Sequence, residues 1–189
     1  MFNIFVAAAL VLYPVLVFFG LGYFSIQTLV MVLAALLLLR HWHAKKTQQA
    51  SLPGIFPLVM LGGSLLLLSL SAITDNLIGM RLYPVWINLS LLAVFAFSLI
   101  HPPTIIERFA RLTEPNLTPF ALTYIRRVTQ MWCGFFFINA SIAFYTAVFC
   151  SLATWTWYNG MASYLAIGLL FAIEFIVRQW LKKRDPGHV

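Results

Sequence analysis

From Phe2 to Leu39 the chain carries no charged side chain, and the first charge it meets is Arg40. Apolar stretches nearly as pure recur almost to the C-terminus, separated by short polar breaks. A soluble domain has about 25% charged residues. Here Asp, Glu, Lys and Arg together make 9%, against 62% hydrophobic residues and a mean hydropathy of +0.91. That is too little polar side chain to coat a globule, so lipid must face most of the surface. The expected fold class is all-α: a polytopic integral membrane helix bundle forming a single domain over 1–189, with no composition shift marking a soluble second domain.

A spanning helix takes about 20 apolar residues. The first run is too long for one, and Pro14, Gly20, Gly22, Ser25 and Gln27 interrupt it. Divided near Gly20–Phe24, it yields spans near 3–19 and 24–40; the rest fall near 54–73, 82–100, 131–151 and 157–178. The reading is six spans, or five if the first run is one long or re-entrant element. The N-terminal stretch lacks the basic region of a secretory signal and is expected to be retained.

The net charge of +7 is informative through its placement. Arg40, Lys45 and Lys46 follow span two; Arg108, Arg111, Arg126 and Arg127 follow span four; Arg178, Lys182, Lys183 and Arg184 form the tail. Alternate breaks therefore hold all of the 12 basic residues except Arg81. The positive-inside rule makes those breaks and the C-terminus cytoplasmic, and with six spans the N-terminus too. A charge spread in this way does not point to nucleic acid. Trp42, Tyr83, Trp86, Trp132, Trp155, Trp157, Tyr158 and Trp180 fall near span ends, where amphipathic rings settle at the membrane interface or pack between helices.

The longest water-adapted stretch is "HPPTIIERFARLTEPNLTPF", residues 101–120. "TIIE" has the spacing of a capping box, in which Thr104 accepts from the Glu107 N–H and Glu107 reaches back to the Thr104 N–H. The helix that follows places Ile105, Ile106, Phe109 and Leu112 on one side and Glu107, Arg108 and Arg111 on the other, and Pro115 stops it. It is too short to stand alone in water but suits a membrane surface. Thr118 and Pro119 then cap and start a helix with no breaker before Cys150. Residues 101–130 thus read as an interfacial cytoplasmic segment. Arg108, Arg111, Arg126 and Arg127 are candidate contacts for an anionic headgroup or a partner protein, or serve topology and anchoring alone.

Candidate chemistry is sparse. Glu174 is the one acid inside a span, and Arg178 one turn later suggests an i, i+4 pair; a proton or ion ligand is the alternative. Asn88 and Asn139, and Asn159 at a span end, are candidate hydrogen-bonding groups between helices, and Gly62, Gly63 and Gly168 with Ala172 permit close helix approach. Asp75 and Arg81 share a short external loop and are placed to pair there. Nucleophile-elbow, zincin, P-loop and dinucleotide-binding motifs are lacking, so no catalytic or cofactor-binding residue is assigned. His41, His43 and His101 read as loop histidines with no acidic or Cys partner at ligand spacing, so no metal site is assigned. Cys133 and Cys150 sit 17 positions apart, about 25 Å on one helix, too far to bridge.

"LYPVLVFFGLGYFSIQTLV", "HPPTIIERFARL", "MWCGFFFINASIAFYTAVF" and "WTWYNGMASYLAIGLLF" together span most of the chain. In these stretches it resembles the intracellular septation protein A family, small inner-membrane proteins of Gram-negative bacteria. That resemblance implies five spans and a role in envelope maintenance and division-linked wall synthesis, acting through other membrane proteins. In "ERFARLTEP" the chain is also similar to membrane proteins found alongside fatty-acid-type enzymes in aryl-polyene lipid gene clusters, which implies help in assembling or exporting a polyene lipid. Neither resemblance supplies catalytic residues.

The function expected is therefore a non-enzymatic inner-membrane accessory or scaffold protein in envelope biogenesis. Its partners would be membrane lipids and other inner-membrane envelope proteins, with self-association open. The alternative is a small transporter or lipid-handling protein in which Glu174 and the span asparagines line a path.

Overall fold

The computed structural model describes residues 13–46 and 55–184, with side chains over 13–42 and 55–181. The described residues are overwhelmingly helical and contain no strand. In chain order the helices are α1 (Tyr13–Gly20), α2 (Ile26–Lys46), α3 (Phe56–Thr74), α4 (Ile78–Ile100), α5 (Ile105–Thr113), α6 (Pro119–Phe149) and α7 (Leu152–Trp157). A π-helical turn at Tyr158–Ala162 then leads without a break into α8 (Ser163–Arg184).

Among the described residues, 4 helices are long and apolar enough to cross a membrane: α3, α4, α6 and the continuous Leu152–Leu181 helix. The apolar stretch Ile26–Trp42 of α2 is shorter, and most of the expected span 3–19 lies outside the described residues. In the Leu152–Leu181 helix only 6% of the apolar window is buried within the protein, leaving Leu165, Leu169, Phe171 and Ile176 exposed. Apolar side chains turned outward along a whole helix need lipid as their solvent.

Several boundaries differ from the sequence reading. Helix α4 starts at Ile78 rather than near 82, so Pro84 stands inside it, six residues past the start where its ring is tolerated less well than at N1. The last helix begins at Leu152 rather than 157, because Ser151 caps it by accepting from the Thr154 N–H. Helix α2 continues through His41 and His43 to Lys46, so these histidines are helical rather than in a loop. The break at Gly20–Phe24 is present, with α1 ending at Gly20 and α2 starting at Ile26.

The chain divides into two compact units, Met1–Asn88 with Asn139–Ser163 and Leu89–Ile138 with Tyr164–Val189. The core of the first gathers Tyr13, Val17, Leu33, Leu68, Met80 and Trp155. Tyr13 meets both Tyr83 and Trp155 edge-on, at 4.7 and 6.0 Å between ring centroids. The second has a smaller aromatic core of Val128, Trp132 and Phe136, with Phe95 edge-on to Phe136 at 5.2 Å and Phe171 against Trp132 at 4.7 Å. Trp132, Trp155 and Tyr83 are therefore core residues, while Trp42, Trp157 and Trp180 stay exposed as interfacial rings do.

Of the glycines the sequence singled out, Gly63 marks a close helix approach and Gly62 and Gly168 do not, while Gly79 adds one it did not single out. A Cβ at Gly62 or Gly168 would meet open space, whereas one at Gly63 would strike the Trp86 indole and one at Gly79 the Leu67 carbonyl oxygen. An indole can shift; a helix backbone cannot. Gly79→Ala should therefore destabilise the protein by about 1–3 kcal/mol, read as a lower apparent Tm in detergent. Gly134→Ala, which would meet nothing within 4 Å, should leave Tm unchanged or slightly raised. Equal behaviour of the two variants would contradict the close approach of α3 and α4 at Gly79.

Candidate functional site

Helix α5 starts where Thr104 stops being extended. Its backbone is in the β region, and its hydroxyl accepts from the Glu107 N–H at 3.2 Å. The return half of the capping box is replaced. Glu107 Oε1 instead accepts from Arg111 Nε and Nη2 at 2.9 and 2.8 Å, a two-pronged i, i+4 pair. The first N–H of α5, from Ile105, goes to Ser98 Oγ at 3.1 Å, and Ser98 donates to the Phe95 carbonyl at 2.8 Å. One serine thus ties the end of α4 to the start of α5 within the second unit.

The apolar face of α5 is divided. Ile105 is buried and Ile106 packs on the Val128–Trp132–Phe136 core, while Phe109 and Leu112 are 58% and 77% exposed. The sequence reading put these four on one face with one destination; two dock on the protein and two turn outward. Beside the outward pair, Arg108 Nε donates to the Pro103 carbonyl at 3.2 Å and Arg111 Nη1 to the Pro115 carbonyl at 3.2 Å.

Helix α6 starts as its sequence suggests, with Thr118 Oγ1 accepting from the Ala121 N–H at 3.2 Å and Pro119 as the first helical residue. At 1.5 Å per residue it is about 46 Å long, well beyond a hydrocarbon core of about 30 Å. Arg126 and Arg127 are both exposed but differ in what they do. Arg126 Nη1 donates to the Leu99 carbonyl at 3.0 Å, satisfying one of the last carbonyls of α4. Arg127 holds no hydrogen bond or ion pair among the described residues, which leaves it the clean surface cation of the four.

Glu174 is paired as its spacing suggests: Arg178 Nε lies 3.5 Å from Oε1. A partner the sequence did not reveal is Tyr124, whose hydroxyl donates to the same Oε1 at 3.4 Å. Both contacts sit at the long end of hydrogen-bond geometry. The three residues line a cleft of about 540 Å³ together with Ile106, Ala110, Leu117, Ala121, Ile125 and Val128 and the polar Thr113 and Glu114.

Asn88 and Asn139 are not part of that cleft; they belong to the first unit and bond to each other. Asn139 Nδ2 donates to Asn88 Oδ1 at 3.0 Å, Asn88 Nδ2 to the Pro84 carbonyl at 2.8 Å, and the Tyr158 hydroxyl to Asn139 Oδ1 at 2.7 Å. Asn159, in the π-helical turn, donates to the Trp155 carbonyl and to Thr146 Oγ1 at 2.9 and 3.3 Å. This is a chain of matched groups clamping helices together. Asn88, Asn139 and Asn159 thus bond within the first unit, and Glu174 has its contacts with Tyr124 and Arg178 within the second.

The expected pairing of Asp75 with Arg81 is also corrected. Asp75 takes a left-handed turn conformation (φ 50°), which Asp tolerates better than most residues, and accepts from Gln27 Nε2 at 2.9 Å. Arg81 instead donates from Nη2 to the carbonyls of Thr146, at 2.7 Å, and Cys150, capping the end of α6. The Trp155 indole N–H closes on the Arg81 carbonyl at 3.0 Å. The lone arginine outside the basic breaks therefore has a structural task that charge counting could not reveal.

Among the described residues no three His, Cys, Asp or Glu side chains come together as a metal site would require. Cys133 and Cys150 are free thiols. No family model, no curated protein and no solved structure matches the chain.

Replacing Arg81 by Met keeps bulk but strips the end of α6 of its donors, and should cost about 3 kcal/mol or more. Asn139→Leu should cost only about 0.6–2 kcal/mol, the range for hydrogen bonds between membrane helices. Thermal unfolding of both variants in the same detergent checks the order; a larger loss for Asn139→Leu would contradict it.

Proposed function

We propose that the protein is a non-catalytic accessory or scaffold protein of a bacterial inner membrane that serves envelope biogenesis through a basic cytoplasmic face formed by residues 101–130. The observation that carries this reading is the surface of α5 and the start of α6. Phe109 and Leu112 are exposed apolar residues on a short helix that also carries the exposed Arg108 and Arg111, and Arg127 on α6 is exposed with no partner among the described residues. An apolar edge that enters the acyl boundary, with arginines at headgroup depth, is how interfacial helices hold a leaflet rich in anionic lipid. The same exposed combination suits the flank of another membrane protein. The pairing of Glu174 with Arg178 and Tyr124 favours this reading over one in which Glu174 holds a transported ion.

The topology that accompanies it has six spans with both termini cytoplasmic, from the placement of the basic residues. Reporter fusions after Gln48 and Glu114 should read cytoplasmic, and fusions near Asn76 and Thr154 periplasmic. A reversed signal at any of these positions would break the six-span arrangement.

Arg127 is the residue with which to test the face, because Arg126 also braces the end of α4. Arg127→Glu should insert normally yet retain about fivefold less phosphatidylglycerol than the wild type when the protein is extracted from mixed-lipid nanodiscs. Raising salt should narrow the difference. Equal phosphatidylglycerol retention by the two proteins, together with an unchanged set of co-purifying inner-membrane proteins, would remove the reading.

A further inference from the structure

The cleft beside Glu174 joins features that neither anchoring nor topology requires. Ile106 and Ala110 on α5 and Ala121, Ile125 and Val128 on α6 give it an apolar part beside its polar residues. Its volume of about 540 Å³ lies inside the range of about 300–1,000 Å³ typical of small-molecule sites. At one side an acid and a base stand 3.5 Å apart on successive turns of α8. The acid is largely enclosed, its side chain 17% exposed, whereas the Arg178 side chain is 45% exposed and leans over the Phe175 ring at 5.7 Å. The Tyr124 and Arg178 contacts to Glu174 are long enough that the carboxylate retains capacity for a stronger donor. Arg178 approaches Glu174 through Nε, which leaves the guanidinium with Nη donors for a further acceptor.

We propose that this cleft binds one aminophospholipid, a zwitterionic lipid whose headgroup carries a primary ammonium next to a phosphate. The ammonium sits on Glu174, with the Tyr124 hydroxyl holding the carboxylate in place. The phosphate takes the Nη donors of Arg178. The proximal acyl chain lies along Ile106, Ala110, Ala121 and Val128. Charge complementarity selects the occupant: Glu174 and Arg178, one acid and one cation 3.5 Å apart on the cleft wall, match a headgroup that carries one ammonium and one phosphate. A quaternary choline headgroup has no N–H to give Glu174, and its preferred partner is an aromatic cage rather than a carboxylate. The site shares α5 and the start of α6 with the basic face proposed above but uses none of its arginines.

The test is lipid retention by the full-length protein, extracted from nanodiscs of equal phosphatidylethanolamine, phosphatidylcholine and phosphatidylglycerol and weighed by native mass spectrometry. The wild type should keep one phosphatidylethanolamine in preference to phosphatidylcholine by about tenfold, the factor for one hydrogen bond to a charged group. Glu174→Gln should abolish the preference while leaving phosphatidylglycerol retention at the basic face unchanged. Ala110→Trp, on the surface helix and away from both charges, fills the cleft and should lose the bound lipid whatever its headgroup. Arg127→Glu should leave the phosphatidylethanolamine signal intact, so failure of the basic face and failure of this site are separable. Equal retention of the three lipids by the wild type would overturn the proposal. A preference that survives both Glu174→Gln and Ala110→Trp would overturn it too.

Discussion

A helix leaves four carbonyls at its C-terminus and four N–H groups at its N-terminus without intrahelical partners. In a chain whose surroundings are mostly lipid, water cannot reach many of them, and each unpaired group costs several kcal/mol. Much of the polar side chain in this protein is spent there. Arg81 serves the end of α6 and Arg126 the end of α4. Ser98, Thr104, Thr118 and Ser151 accept N–H groups at helix starts, and Ser71 Oγ accepts the Met80 N–H at 2.9 Å across the α3–α4 turn. Asn76 Oδ1 takes the Ile78 N–H at 2.9 Å. Charged residues make only 9% of the chain, and two of the arginines, Arg81 and Arg126, are used on helix ends.

This explains which features the sequence made readable. Thr104, Thr118 and Pro119 act on backbone groups within three residues, so their roles follow from local spacing alone. The long helix from Pro119 and the i, i+4 pair of Glu174 with Arg178 are local for the same reason. Arg81 and Arg126 act across 65 and 27 positions, on carbonyls that every residue possesses, and nothing in a sequence marks one carbonyl as the acceptor. Asp75 was drawn toward Arg81 by proximity along the chain; its acceptor role for Gln27 spans 48 positions. Gly79 is indistinguishable in sequence from Gly168, and only helix packing decides that one touches a backbone and the other touches nothing.

The candidate sites divide in the same way. The cations of 101–130 were visible because basic residues cluster where topology needs them, but their individual tasks were not. Of four arginines that look alike in sequence, Arg111 is committed to Glu107, Arg108 to a nearby carbonyl and Arg126 to the end of α4, which leaves Arg127. Surface charge counted from sequence therefore overstates what is available for binding. The apolar half of α5 was overstated in the opposite sense, as Ile105 and Ile106 are consumed by the core and only Phe109 and Leu112 remain to meet a membrane.

The same accounting separates the asparagine chain from Glu174. Asn88, Asn139 and Tyr158 donate and accept in a sequence that ends on the Pro84 carbonyl. A ligand entering there would have to break bonds that are already short. Around Glu174 the contacts are 3.4 and 3.5 Å, and Arg178 spends one of its nitrogen groups. A carboxylate enclosed by apolar walls gains most from a full-strength, charge-assisted partner. The arrangement that holds it at the outer limit of bonding is the one in which an incoming ammonium adds interaction without displacing any. Packing polar groups tightly in one unit and loosely in the other gives the first a structural clamp and the second a site whose occupant completes its hydrogen bonding.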